Sequence, residues 1–232
     1  MRTREPQPLG QGGALERISR ILAARGIAPG SAPSFAPDDS GPHAALAALS
    51  AGLPPRYRDA EASQAQVLEW VQEVVRLASP PGPGARPQVT TGPSLLLAGV
   101  TGSGKTYEAY GAIRALARAG LGVRWRAMTA ADMYASLRPR AGADSEAELA
   151  GLARSPLLLL DDLGAAKTSE WVEEITYRLV NRRYNLMLPT LVTTNLPIAD
   201  LRAHLGDRVT SRLAQMTTRI SFAPVDRRRA RA

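Results

Sequence analysis

Gly99-Val100-Thr101-Gly102-Ser103-Gly104-Lys105-Thr106 is the stretch on which the reading of this chain turns. It fits Gly-x-x-x-x-Gly-Lys-Thr, and its setting counts for more than its letters. An apolar run, Leu95-Leu96-Leu97-Ala98, precedes it, and residues 105–119 follow with helical spacing up to Gly120. Strand, glycine-rich turn and helix is the arrangement that cradles phosphate. The glycines let backbone N–H groups approach the oxygens, and the helix N-terminus adds positive potential. Gly99, Thr101, Gly102, Ser103 and Gly104 are therefore expected to wrap the phosphates of a nucleotide. Lys105 is expected to reach the β- and γ-phosphates, and the Thr106 hydroxyl to ligate magnesium. ATP and Mg2+ are the expected cofactors.

Outward from that loop, strands alternate with helices. Strands are expected at 94–100, 123–128, 157–160, 190–194 and 219–222. Helices are expected at 105–119, 130–137, 142–153, 170–184 and 207–215. Such alternation predicts an α/β fold, a three-layer sandwich around a parallel five-stranded sheet. Towards the N-terminus the pattern is looser. Apolar spacing predicts helices at 15–25, 44–51 and 60–77, the last with Val67, Trp70, Val71, Val74 and Val75 on one side. Residues 26–42 and 79–93 are rich in Pro and Gly and read as linkers. The chain divides into a helical, partly flexible region at 1–80 and a nucleotide-binding domain at 81–232. The stripe Val67/Val71/Val74 is read as packing on the core in preference to facing a partner.

Three further clusters carry chemistry. Leu157-Leu158-Leu159-Leu160 ends in Asp161-Asp162. In P-loop enzymes a carboxylate at the end of a buried strand holds the magnesium, which is the place of Asp161. Asp162 sits where the base that orients an attacking water is found. Thr193-Thr194-Asn195 closes another strand, and Asn195 can hold that water near the γ-phosphate. In Asp207-Arg208-Val209-Thr210-Ser211-Arg212-Leu213 the two arginines share a helix face. By themselves they read as a solvated basic face or a partner for Asp207.

Taken together these motifs resemble the DnaC/DnaI/IstB group of AAA+ ATPases. The resemblance runs from about Leu53 to Arg228. It includes Leu53-Pro54-Pro55-Arg56-Tyr57, Leu160-Asp161-Asp162-Leu163-Gly164 and Asn181-Arg182-Arg183-Tyr184, besides the P-loop, Leu188 to Leu196 and Gly206 to Leu213. It implies Asp161 as the Walker B metal ligand, Asp162 as the catalytic acid and Asn195 as sensor 1. It implies Arg212 as an arginine finger acting on a neighbouring subunit, with Arg208 as second candidate, and hence self-association through the ATP site. Arg228 stands where a sensor 2 would be, and a helical lid is expected to be reduced or absent. Lys105, Asp162, Asn195 and Arg212 form the expected catalytic set.

Composition sets the outer bounds. No apolar run nears the roughly 20 residues that span a bilayer, and no secretory signal opens the chain. A soluble, cytoplasmic protein is expected. There is no cysteine, which excludes disulfides, thiolate zinc and cysteine nucleophiles. The net charge of +8 favours a polyanionic partner, although Arg-rich composition alone also produces it. A GTPase's Asn-Lys-x-Asp and a transporter's Ser-Gly-Gly-Gln are both missing. The resemblance implies a loader that places the replicative hexameric DNA helicase on single-stranded DNA, with hydrolysis driving release. A transposition helper of the IstB kind and an ATP-gated DNA-binding switch are the alternatives.

Overall fold

The computed structural model describes residues 42–142 and 144–225. The helix expected at 15–25, the linker up to residue 41, and the basic tail with Arg228 lie outside the described residues. The first described elements are α1 (Pro42–Gly52), a 3-10 turn at Pro55–Tyr57 and α2 (Ala65–Leu77). The alternating part follows: β1 (Ser94–Ala98), α3 (Lys105–Arg118), β2 (Trp125–Thr129), α4 (Ala130–Leu137) and α5 (Ser145–Arg154). It ends with β3 (Leu157–Asp161), α6 (Glu170–Asn185), β4 (Thr190–Thr194), α7 (Leu201–Met216) and β5 (Thr217–Ser221).

The five strands are all parallel, in the order β2-β3-β4-β1-β5. Alternation along each strand then assigns the two faces. Leu95, Leu97, Leu157, Leu159 and Leu191 point to the side covered by α1, α2 and α3. Leu96, Leu158, Leu160 and Val192 point to the side covered by α4, α5, α6 and α7. A parallel strand covered on both faces needs an unbroken apolar run, which is why β1 and β3 read as leucine tracts.

Several boundaries differ from expectation: α2 begins at Ala65 where 60 was expected, β1 ends at Ala98 where 100 was expected, and β5 runs Thr217–Ser221 where 219–222 was expected. The last helix begins at Leu201, six residues earlier than the sequence pattern suggests, because two helical stretches join across a kink at Gly206. The second strand begins at Trp125, past Val123 and Arg124. The stripe on α2 is buried: Val67, Trp70, Val71 and Val74 join the core cluster of α3, and Trp70 Nε1 donates to Pro93 O at 2.7 Å.

The segment between α1 and α2 is strapped to α3. Buried Glu108 accepts from Ser63 N at 2.5 Å and Gln64 N at 2.7 Å, the backbone entering α2. Arg114 donates to Ala60 O, Tyr107 donates to Asp59 O at 2.9 Å, and Tyr57 stacks on Tyr110 at 4.4 Å. The strap lies so close that a Cβ on Gly111 would run into the backbone of Glu61 and Ala62. Backbone cannot step aside as a flexible side chain can. Gly111→Ala is therefore expected to lower stability by about 2 kcal/mol, in the range of overpacked cores. Chemical denaturation measures it, and a loss below about 0.5 kcal/mol would place Gly111 among ordinary surface substitutions.

Candidate nucleotide site

Ligands of open parallel sheets gather at the carboxyl ends of the strands. Here the ends of β1, β3 and β4 meet the N-terminus of α3. Gly102 and Gly104 have φ of 86° and 98°, the left-handed region where glycine carries no steric penalty. Gly104 is the N-cap of α3 and makes no side-chain cap bond to that end of the helix.

Lys105 is only 4% exposed. Its ammonium donates to Gly99 O at 2.8 Å, Val100 O at 3.0 Å and Asn195 Oδ1 at 2.9 Å. The other end of that amide, Asn195 Nδ2, donates to Asp162 Oδ1 at 2.9 Å. Beside this chain runs a second. Thr106 Oγ1 donates to Asp161 Oδ1 at 2.9 Å, and Thr193 Oγ1 donates to the same oxygen at 2.5 Å. The P-loop, the end of β3 and the end of β4 are thus one hydrogen-bonded cluster holding Lys105, Thr106, Asp161, Asp162 and Asn195.

The electrostatics follow from burial. Burial pushes the Asp161 carboxyl above its ordinary value, while the hydroxyls of Thr193 and Thr106 and the Lys105 charge pull it back. Ligation by a cation requires the ionised form, which a cation held there would itself favour. Tyr110 on α3 is pushed up to about 12, first by burial and then by the Asp161 charge. Asp162 itself has φ 55°, a left-handed backbone that an aspartate tolerates better than most residues.

The residues fit a phosphate and a hard cation. Ser103 Oγ is buried, with the residue 1% exposed, and has no hydrogen-bond partner. An orphaned hydroxyl inside a glycine-rich loop at a helix N-terminus suits an anion's oxygens. Thr106 and Asp161 offer the oxygen donors that Mg2+ takes. Mg2+ in such sites leans on one or two protein oxygens and the substrate's phosphates, not on an all-protein cage. Among the described residues no cluster of three His, Cys, Asp or Glu forms such a cage.

Arg208 and Arg212 lie elsewhere. Arg208 sits 3.8 Å from the ring centroid of Tyr177, and Arg212 4.7 Å from that of Tyr184. Arg212 also donates to Asn181 Oδ1 at 3.1 Å and Gln215 Oε1 at 2.9 Å. Neither arginine bonds to a P-loop residue of its own chain. Tyr177, Asn181 and Tyr184 recur at helical spacing on α6, so one face of that helix carries Arg208 and Arg212 of α7. Sequence reading passed over this row. It named Thr193 within Thr193-Thr194-Asn195 but gave it no role of its own, although the signal was available: a threonine within an otherwise buried strand has a hydroxyl that must find a partner.

The family of IstB-like ATP binding proteins has a model that matches residues 88–220. The fold is shared with solved structures. The DnaC helicase loader is 24% identical, with a TM-score of 0.60, over 73% of this chain and 100% of that one. DnaI is 20% identical, with a TM-score of 0.59, over 74% of this chain and 95% of that one. The replication initiator DnaA, bound to AMPPCP and single-stranded DNA, is 18% identical, with a TM-score of 0.58, over 75% and 51% of the two chains. No curated protein matches the chain significantly by sequence. Among the described residues no helix is long and apolar enough to cross a membrane.

Proposed function

Given that the chain belongs to the IstB-like ATP-binding protein family, with the P-loop AAA+ fold, we propose that it hydrolyses ATP and uses the cycle to load a replicative DNA helicase onto single-stranded DNA. The observation that carries the first half is the joined cluster Lys105–Asn195–Asp162 and Thr106–Asp161–Thr193. Thr106 and Asp161 would hold magnesium, which when bound would supply charge neutralisation on the transferred phosphoryl group.

The rest is done by the chain's own groups. Gly102, Ser103 and Gly104, with Gly99 and Thr101, offer the phosphate cradle. Lys105 exchanges loop carbonyls and Asn195 for phosphate oxygens, which releases the Asn195 amide to work with Asp162 on the attacking water. Asp162 takes that water's proton, and Asn195 holds the water in line. A neighbouring protomer's Arg212, with Arg208 beside it, completes the site in trans, so ATP drives self-association.

Nucleotide binding and turnover by purified protein test this. Lys105→Ala is expected to lower turnover by about 10²-fold, as when one preorganised cationic donor is lost. Unchanged turnover would sink the assignment.

The loader half is supported by the shared architecture of a known helicase loader, matched over its whole length, and by the net charge of +8. The N-terminal region, residues 1–80, is assigned to gripping the helicase. Since α2 packs into the core, the truncation that probes this region removes only residues 1–39 and leaves every described element in place. Helicase should co-purify with the intact chain and be lost on that truncation. The family model favours a second reading, a helper of a DNA transposase. Recovery of a transposase in place of the helicase would establish it.

A further inference from the structure

Thr193 is fully buried at the end of β4, and its one hydroxyl touches both aspartates. Oγ1 donates to Asp161 Oδ1 at 2.5 Å and accepts from the Asp162 backbone N–H at 2.9 Å. A hydroxyl has a single proton, so accepting from Asp162 N–H and donating to Asp161 are compatible and leave its direction fixed. The Thr193 carbonyl takes Leu163 N–H at 2.8 Å. One residue thus holds the carboxylate of Asp161, the backbone of Asp162 and the start of the turn beyond.

That backbone needs holding. Asp162 is left-handed at φ 55°, a conformation that persists where the surroundings over-determine it. Thr106 Oγ1 meets Asp161 on the same oxygen as Thr193 does. A hydroxyl that gives its proton to Asp161 keeps lone pairs for a cation. Removal of Thr193's proton would leave Asp161 Oδ1 with one donor in place of two. The carboxylate would then be held by Thr106 alone and free to turn about that single bond.

We propose that Thr193 is the positioning residue that sets the Asp161–Asp162 pair for a divalent cation, so that the metal requirement of nucleotide binding is tuned from β4. The inference rests on the ATP·Mg2+ reading of the site and adds a residue that touches neither nucleotide nor metal. Groups behind a metal ligand typically govern affinity by about 10- to 100-fold.

The test compares the full chain with Thr193→Val, which keeps the shape but removes the hydroxyl, and Thr193→Ser, which restores it. Binding of a fluorescent, non-hydrolysable ATP analogue is titrated with Mg2+ from a chelator-treated start. In Thr193→Val the Mg2+ needed for half-maximal enhancement should rise about 10-fold or more, with affinity in chelator unchanged. Thr193→Ser should titrate like the wild type. Thr193→Val titrating like the wild type overturns the proposal. So does Thr193→Ser failing as badly as Thr193→Val, because the lost methyl and not the hydroxyl would then be responsible. If Thr193→Val does not fold, Thr193→Ala, which also lacks the hydroxyl, takes its place and should show the same rise, with Thr193→Ser as its control. A wild type whose nucleotide binding ignores Mg2+ overturns the ATP·Mg2+ reading itself, and this inference with it.

Discussion

Arg212→Ala should lower ATP turnover by about 10³-fold while leaving nucleotide binding nearly intact, the mark of a group that acts on transition-state charge from outside the binding loop. Within its own chain Arg212 lies on the Tyr184 ring and bonds to Asn181 and Gln215. None of these is a P-loop residue, so on the proposed mechanism the catalytic contact of Arg212 is made to another copy. A mixing experiment separates the cases. Arg212→Ala chains retain Lys105, and Lys105→Ala chains retain Arg212. Combined, they form sites in which one protomer supplies the loop and the other the guanidinium. Recovered turnover in the mixture demonstrates action in trans, whereas two inactive chains that stay inactive together would overturn it, and Arg212→Ala turning over like the wild type would remove Arg212 from the mechanism. Arg208→Ala, on the same face of α7 and stacked on Tyr177, serves as the parallel measurement for the second arginine.

Arg183→Met is expected to cost about 4 kcal/mol of folding stability, well into the range reserved for broken buried networks. Arg183 is 0% exposed. Its guanidinium donates to Thr190 Oγ1 at 2.8 Å, Leu152 O at 3.0 Å, Ala153 O at 3.3 Å, Ser155 O at 2.8 Å and Pro189 O at 2.7 Å. No carboxylate is among these acceptors. Burial pushes the group down, to about 9, so it is still charged at neutral pH. Methionine keeps much of the volume but takes a donor from each of those oxygens; Leu152 O and Pro189 O still receive Ser155 N–H and Leu158 N–H, and each buried acceptor left stranded costs about 1–3 kcal/mol before relaxation. The removed desolvation cost of the cation offsets part of this. Thermal unfolding reads the result. At about 2–4 °C per kcal/mol for a domain of this size, the midpoint should fall by about 10 °C. A drop of only a degree or two would mean that the cost of burying the charge had matched the five bonds it makes.

Arg183 also shows where sequence reading stops. In Asn181-Arg182-Arg183-Tyr184 two arginines stand side by side. One reaches the surface near Glu146, while its neighbour is sealed among carbonyls between α5, α6 and β4. Nothing in one-dimensional charge patterning separates them, because the difference is a 100° turn of helix against a neighbour the pattern does not name. The strands were legible for the opposite reason. Leu95-Leu96-Leu97 and Leu157-Leu158-Leu159-Leu160 are runs that only a doubly covered strand tolerates, and the P-loop marks the turn that follows the first of them. The cluster of Lys105, Asp161, Asp162 and Asn195 was legible because each stands at a strand or helix end that the sheet brings together. The strap over α3 was not legible. Glu108 looks like an ordinary solvent-facing helix residue, yet its carboxylate is buried on the backbone that enters α2. Gly111 looks like a weak helix position, yet it is where the strap crosses. The row Tyr177, Asn181 and Tyr184 gains meaning only once α7 lies against it.

The strand order has a bearing on how the chain is made. β1, which carries the P-loop, lies between β4 and β5, and its registers run Leu95 to Leu191 and Leu95 to Thr218. Both neighbours are therefore synthesised long after β1 itself. At about 5–20 residues per second, β1 waits about 5–20 s on the ribosome for the first of them. During that interval its leucines and both its hydrogen-bonding edges are without their final partners, while β2 and β3 can already pair across α4 and α5. Nascent chains paused between β3 and β4 are where trigger-type chaperones would be most needed, and aggregation on fast expression would begin from the same strand that later presents the phosphate loop.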